Sequence, residues 1–128
     1  MNVTNTQVSN KILVVDDDAS IREMIALALE DEGLEVIGAP EGETALAMIP
    51  EIQPDLILLD TRMPIMDGRE FALRYKQLEC LPAPLIILTA VDNPESTAAE
   101  IGADGFLPKP FDLEDLSRVV SKYLRMKR

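Results

Sequence analysis

The chain alternates between short aliphatic runs and segments with helical periodicity, and this alternation limits its fold more than any other feature. Because helices cover both faces of a parallel sheet, its strands are apolar along most of their length. The pattern therefore predicts an α/β fold: a five-stranded, doubly wound parallel sheet with helices on both faces. The five predicted strands are Lys11 to Val15, Leu34 to Ile37, Asp55 to Leu59, Leu85 to Leu88 and Gly105 to Leu107.

The gaps between these strands carry apolar residues at helical spacing. The clearest case is Ile21, Ile25 and Leu29, which share one helical face before Gly33, a residue type that commonly ends helices. Helices are expected in the other gaps as well. The second helix is expected to begin at about Glu43 and the third after Asp67 and Gly68. The fourth is expected to be short, with Asn93 as its N-cap and Gly102 at its end. The fifth is expected to carry Leu113, Leu116, Val120, Tyr123 and Leu124.

Length and composition bound the organisation of the chain. With 128 residues, 47% of them apolar, there is room for one domain, and no apolar run reaches the roughly 18 residues of a membrane span. We expect a flexible polar leader over residues 1–10, one domain over residues 11–125 and a basic tail over residues 126–128. The leader does not look like a signal peptide and Cys80 is the single cysteine, so we expect a cytoplasmic location.

The charge balance argues against two classes of partner. The chain has 23 acidic and 12 basic residues, a formal net charge of −11, which repels nucleic acid and anionic lipid. We therefore expect no direct contact with nucleic acid and none with membranes. Solubility accounts for most of the acidic side chains, but those that follow the strands need another explanation.

Polar side chains follow four of the predicted strands. The first strand leads into Asp16-Asp17-Asp18, the third ends at Asp60 and the fourth at Thr89, and Lys109 follows the fifth. In a doubly wound sheet the ligand crevice lies at the carboxyl ends of the strands. Carboxylates gathered there repel one another unless a hard cation offsets their charge, and Mg²⁺ suits an open site that retains water. The pattern predicts a site for a metal ion and a phosphoryl group.

Four short motifs occur in order at these strand ends: VVDDD, ILLDTRMPIMDG, LTA and PKPF. Each is weak alone, but the ordered set, within a match from Lys11 to Leu124, resembles the CheY-like receiver domains of two-component response regulators. The resemblance implies a flavodoxin-like sheet with strand order 2-1-3-4-5. It implies a protein that takes a phosphoryl group from a sensor histidine kinase or phosphotransfer protein, with Mg²⁺ or Mn²⁺ bound, and then switches its binding to a downstream protein target.

Such a protein is a signalling phosphoacceptor. The resemblance limits its catalysis to its own phosphotransfer and slow autodephosphorylation, and it allows a homodimer to form on phosphorylation.

The resemblance also assigns a role to each matching position in the acidic cluster. Asp60 is the phosphoacceptor, Asp17 a direct metal ligand and Asp16 a ligand that acts mostly through water. Asp60 itself and the backbone carbonyl of Arg62 complete the metal set. Asp18 is left out, because an Asp at a helix start is better explained as an N-cap.

The remaining assignments concern the phosphoryl group and the switch. Thr89 and Lys109 would contact phosphoryl oxygens, and Ala90 would leave space beside them. Phe106 would act with Thr89 as the switch, and a cis bond before Pro110 would aim the lysine into the site. Thr89 and Lys109 are 20 positions apart, slightly closer than in the family pattern, so a short or displaced fourth helix is expected.

Two other functions stay open at this point. The triplet Asp16-Asp17-Asp18 also fits the DxD motif of a small haloacid dehalogenase-like phosphohydrolase, with Asp16 as nucleophile and Asp18 as acid. That fold normally needs a longer chain and would leave Asp60 without a role. A phosphorylation-independent scaffold of receiver fold is the other alternative, and the intact set of phosphoryl-site residues argues against it.

Overall fold

A computed structural model describes residues 10–62, 66–78 and 82–126. Residues 1–9 of the predicted leader, Cys80, and the last two residues of the predicted tail lie outside the described residues. The strands are β1 (Lys11–Val15), β2 (Glu35–Ala39), β3 (Leu56–Asp60), β4 (Leu85–Thr89) and β5 (Gly105–Pro108). The helices are α1 (Ala19–Glu30), α2 (Gly42–Ile52), α3 (Gly68–Gln77), α4 (Pro94–Ile101) and α5 (Leu113–Met126). None of these helices has the length and apolar character needed to span a membrane.

The five strands form one parallel sheet in the order β2-β1-β3-β4-β5, which confirms the predicted doubly wound fold. The strand ends differ slightly from the sequence prediction. β2 continues beyond Ile37 because Gly38 and Ala39 pair in register with β1. Asp55 precedes β3, and its carboxylate accepts a hydrogen bond from the backbone N–H of Lys11 at 2.8 Å.

Alternate residues along the strands belong to two separate apolar layers. Leu13, Ile57 and Ile87 face the layer formed with α2, α3 and the buried Ala98 of α4. Their strand neighbours, such as Leu58, face the layer formed with α1 and α5. The central strands are buried on both sides, which explains their near-continuous apolar sequence.

The helix ends follow local capping chemistry in most cases. Asp18 caps α1, because its carboxylate accepts hydrogen bonds from the N–H groups of Ser20 and Ile21. Gly102 ends α4 with a left-handed φ of 88°, a conformation that glycine adopts readily. Asn93 is the N-cap of α4, but within the described part of the chain its side chain makes no cap hydrogen bond. Its backbone carbonyl accepts from Thr97 N at 3.1 Å. The eight residues of α4 match the short helix that was expected.

Candidate functional site

The polar residues that follow the strands meet at one rim of the sheet. Parallel register places Asp60 beside Leu88 and Thr89 beside Pro108, and Asp16 directly follows the adjacent strand β1. A cavity of about 350 Å³ opens there. It is lined by Asp16, Asp17, Asp18, Ile21, Asp60, Arg62, Ala90 and Lys109.

Asp16 is buried in this cavity, with 1% of its surface exposed. Its Oδ1 accepts a hydrogen bond from the backbone N–H of Asp18 at 2.9 Å. Among the described residues, its Oδ2 has no hydrogen-bond partner. Burial raises the pKa of Asp16 above its ordinary value, the Asp18 N–H opposes this shift, and the negative charge of Asp60 adds to it. The charged carboxylate thus lacks enough favourable partners in the protein alone.

Asp60 is held at one of its two carboxylate oxygens. Its Oδ1 accepts from the backbone N–H of Arg62 and from the Lys109 ammonium, each at 3.3 Å. The same ammonium lies 3.8 Å from Asp16 Oδ2, an ion-pair distance but too long for a hydrogen bond. Lys109 therefore bridges two buried carboxylates while a quarter of its own side chain is exposed. The Lys109-Pro110 peptide bond is cis, as expected.

Three carboxylates in the cavity are close enough to share one cation. Asp16, Asp17 and Asp60 each offer an oxygen, and these oxygens all lie within 4.8 Å of one another. The set is made only of hard oxygen donors, which Mg²⁺ and Mn²⁺ prefer over nitrogen or sulfur. One of these residues, Asp16, carries the orphaned buried Oδ2. The donor set and the orphaned oxygen together fit a divalent cation. Asp18 is not part of this set, because its carboxylate caps α1.

Thr89 and Phe106 do not line the cavity, although Ala90 does. Thr89 is buried at the end of β4, where its Oγ1 accepts from Val91 N at 3.3 Å and its carbonyl accepts from Lys109 N at 2.7 Å. Phe106 pairs with Ile87, two residues before the rim, and packs half-buried on the α2–α3–α4 layer. The two expected switch residues are thus on the neighbouring strands β4 and β5, and neither lines the cavity.

One residue at this rim was missed by the sequence analysis. The guanidinium Nη1 of Arg22, at the end of the first turn of α1, donates to the backbone carbonyl of Asp16 at 2.7 Å. The signal available in the sequence is weak: an arginine six positions after the aspartate, on a helix whose other charged residues face solvent. No pattern of residue types predicts that its side chain turns back towards the loop.

Comparison with known proteins identifies the family. The family model described as the response regulator receiver domain matches residues 12–121. The chain belongs to this family. The phosphate regulon transcriptional regulatory protein PhoB of Pseudomonas aeruginosa is 42% identical over 121 residues, which cover 92% of this chain and 53% of PhoB. The chain spans between 26% and 53% of the length of such curated relatives.

Solved receiver structures have the same fold. Chemotaxis protein CheY4 of Vibrio cholerae superposes with a TM-score of 0.79 at 35% identity, covering 91% of this chain and 99% of that one. The receiver domain of sensor histidine kinase PA1611 of Pseudomonas aeruginosa gives a TM-score of 0.82 at 25% identity, covering 92% and 99%. That structure has a magnesium ion coordinated in its active site cleft.

Membership of the receiver family also decides between the functions left open by the sequence. Receiver domains of response regulators are signalling proteins, and a phosphoacceptor role fits the site around Asp60. The haloacid dehalogenase-like reading, with Asp16 as nucleophile, is not favoured. The scaffold reading is not favoured either.

Proposed function

We propose that this receiver accepts a phosphoryl group on Asp60 in a Mg²⁺-dependent reaction and thereby switches its binding to a protein partner. The observation that carries the proposal is the setting of Asp60, whose Oδ1 is bound by Lys109 and the Arg62 N–H beside two further carboxylates. Burying an acidic side chain beside other carboxylates makes the free energy of folding less favourable, because the negative charges repel one another. Such a cost is common at functional sites.

The metal ligands would be the carboxylates of Asp16, Asp17 and Asp60 with the backbone carbonyl of Arg62. Asp17 would bind directly and Asp16 mostly through water. A bound Mg²⁺ or Mn²⁺ supplies positive charge next to the phosphoryl oxygens. The magnesium ion in the PA1611 receiver supports this assignment by similarity.

In the transfer step, a carboxylate oxygen of Asp60 forms a bond to phosphorus while the P–N bond of a phosphohistidine donor breaks. The electron pair of that bond leaves with the imidazole nitrogen. Asp60 Oδ2, which has no hydrogen bond among the described residues, is the oxygen we assign to the attack. Lys109 would pair with one phosphoryl oxygen, and the Thr89 hydroxyl would donate to another once it turns towards the cavity.

The product, an acyl phosphate on Asp60, is open to attack by water at phosphorus, which breaks the bond between phosphorus and the Asp60 oxygen, releases inorganic phosphate and restores the carboxylate. Slow autodephosphorylation would then return the protein to its resting state. The small side chain of Ala90, at the cavity wall, would leave room for that water. No other catalytic activity is assigned to the protein.

The switch would run through Thr89 and Phe106. If Thr89 turns towards the phosphoryl group, space opens at the end of β4, and the half-buried Phe106 on the adjacent strand can move into it. Packed cores pass on such a displacement as a choice between discrete arrangements. The surface formed by α4, β5 and α5 would change as a result.

We assign the phosphoryl donor to a sensor histidine kinase or a phosphotransfer protein, and the output to a downstream protein target or to a homodimer formed on phosphorylation. The net charge of −11 supports a protein partner over direct contact with nucleic acid or membrane. The folded unit would comprise residues 11–125. A cytoplasmic location agrees with these partners.

The phosphoacceptor is tested by labelling with acetyl phosphate or a phosphohistidine donor, followed by mass spectrometry of the modified peptide. The phosphoryl group is expected on Asp60, and Asp60→Asn should abolish labelling because an amide is not a competent nucleophile. Asp92→Asn, which neutralises an exposed carboxylate, is the matched control and should label normally. A phosphoryl group on Asp16 would support the phosphohydrolase instead.

The switch is tested with beryllium fluoride and Mg²⁺, which imitate the acyl phosphate. Amide NMR shifts should change at Phe106 and along α4, as well as at Asp60 and Thr89. Shifts confined to the residues that line the cavity would contradict the switch and leave the phosphoacceptor assignment standing.

A further inference from the structure

The side chain of Arg22 connects helix α1 to the loop that carries the acidic cluster. Its Nη1 lies 2.7 Å from the carbonyl oxygen of Asp16, a short bond for a charged donor. The backbone N–H of Arg22 donates to the carbonyl of Asp18 at 3.1 Å, so both ends of the loop are bonded to this one residue. The loop between β1 and α1 is therefore closed against the helix by Arg22.

Gly38 on strand β2 provides the space in which the Arg22 side chain lies. A Cβ atom at Gly38 would be 3.2 Å from Arg22 Cδ, closer than most such contacts, and 3.5 Å from its Nε, an ordinary contact distance. Gly38 does not have the positive φ found at Gly33 and Gly102, so its backbone is open to any residue. The glycine leaves room for the Arg22 side chain in its observed position, and the backbone conformation itself does not require a glycine.

Arg22 does not act by neutralising the acidic cluster directly. In the described part of the chain it forms no ion pair, whereas Lys109 pairs with both Asp16 and Asp60. Its described side-chain hydrogen bond is to a backbone carbonyl. A contact of this kind fixes where the backbone of Asp16 lies, and with it the positions of the Asp16 and Asp17 carboxylates.

Apart from the cap that Asp18 forms on α1 and the ion pair between Lys109 and Asp16, two further described hydrogen bonds hold the loop. The Asp16 N–H donates to Ala39 O at 3.1 Å, and the Asp18 N–H donates to the Asp16 carboxylate at 2.9 Å. Asp17 is exposed, and no described hydrogen bond holds its side chain. The Asp16 and Asp17 carboxylates of this loop repel each other and Asp60, so a contact that fixes the Asp16 backbone helps to keep them close together.

We propose that Arg22 and Gly38 form a positioning pair that holds the Asp16-Asp17 loop in the geometry needed to bind the divalent cation. This inference rests on the metal site of the proposed function and adds two residues to it. Arg22 touches neither cation nor phosphoryl group; it acts through the backbone carbonyl of Asp16. Outer residues that orient metal ligands typically change metal affinity about 10–100-fold when they are replaced.

The test uses Arg22→Met, which keeps an unbranched apolar stem over Gly38 and removes the donor. The dissociation constant for Mg²⁺ is measured by NMR titration of the Asp17 and Asp18 amides, and amide hydrogen exchange at Asp18 is measured without metal. The constant should rise about tenfold or more, and exchange at Asp18 should become faster. Arg118→Met, which removes the same charge from an exposed site on α5, should change the constant less than about twofold because solvent screens it.

A second variant approaches the same contact from strand β2. Gly38→Val suits a strand by propensity but displaces the Arg22 side chain, so it should also weaken Mg²⁺ binding. In the Arg22→Met background the same change should not weaken Mg²⁺ binding further, because the hydrogen bond to the Asp16 carbonyl is already gone. Thermal unfolding followed by circular dichroism checks that each variant is folded.

The outcomes separate this inference from the proposed function. If the parent binds Mg²⁺ and Arg22→Met binds it equally well, the positioning role is overturned while the metal site stands. Equal weakening by Gly38→Val in both backgrounds would also overturn the pair. If the parent itself binds no Mg²⁺, the metal site of the proposed function fails, and the role of Arg22 fails with it.

Discussion

Replacing Asp16 by asparagine should make the metal-free protein more stable, although it removes a predicted metal ligand. Asparagine keeps the oxygen that accepts from the Asp18 N–H and places a donor where the orphaned Oδ2 lies. With an effective dielectric constant near 20, repulsion from Asp60 at the 4.8 Å limit is about 3.5 kcal/mol, and attraction to Lys109 at 3.8 Å is about 4.4 kcal/mol.

These two interactions nearly cancel, and the quarter-exposed side chain of Lys109 is partly screened. The desolvation of Asp16, which is several kcal/mol for a fully buried ion, is then left uncompensated. We expect Asp16→Asn to raise the free energy of unfolding by about 1–2 kcal/mol without metal, a urea midpoint shift of roughly 0.5–1 M.

The assay is urea unfolding followed by far-UV circular dichroism, first with EDTA and then with saturating Mg²⁺. A ligand at 100 times its dissociation constant adds about 2.7 kcal/mol to the folded state, so with Mg²⁺ the parent should become the more stable protein. Glu32→Gln, at the opposite end of the sheet, should stay within about 0.5 kcal/mol of the parent. If Asp16→Asn is less stable than the parent in EDTA, the argument from repulsion and burial is wrong.

Three further results are expected. The stability gain from Asp16→Asn should be full above the raised pKa of Asp16 and should disappear as the pH falls to the ordinary value of 3.8, because burial penalises only the charged form. A gain independent of pH in urea titrations would contradict this. Asp17→Ala should weaken Mg²⁺ binding with little loss of stability. Asp18→Ala should lower the free energy of unfolding by about 1 kcal/mol through the lost cap, while its Mg²⁺ affinity, measured by calorimetry, stays nearly unchanged. Equal losses of affinity in the two variants would refute the assignment. Lys109→Ala should still be labelled by acetyl phosphate yet lose the beryllium fluoride-induced NMR shifts at Phe106, and retention of those shifts would refute the coupling.

The fold could be predicted from sequence because its strands are buried on both faces. A run such as Leu56 to Leu59 is too short for most helices and favours a strand that is buried on both faces, and the polar residue that ends it marks the rim. The strand ends of β2 were less predictable, since Gly38 and Ala39 have little strand preference and pair only because β1 lies beside them.

The site was predictable in residue type but not in its contacts. Asp60, Lys109 and the acidic triplet could be placed together from strand ends, whereas the bond from Arg22 to the Asp16 carbonyl depends on a side-chain path that crosses Gly38. The cap at Asn93 failed for a related reason. Residue type gives the capacity to form a hydrogen bond, but the local backbone, with φ −118° and ψ 72° at Asn93, decides whether it forms.

The division of the sheet into two apolar layers has a consequence for how such sequences diverge. Odd-numbered residues of β1, β3 and β4 share neighbours with α2, α3 and α4, while even-numbered residues share theirs with α1 and α5. Compensating substitutions should therefore occur within a layer and seldom across it, so an alignment of relatives should show two blocks of covarying core positions. Phe106 belongs to the first block and Leu107 to the second, so two adjacent residues would carry independent evolutionary histories.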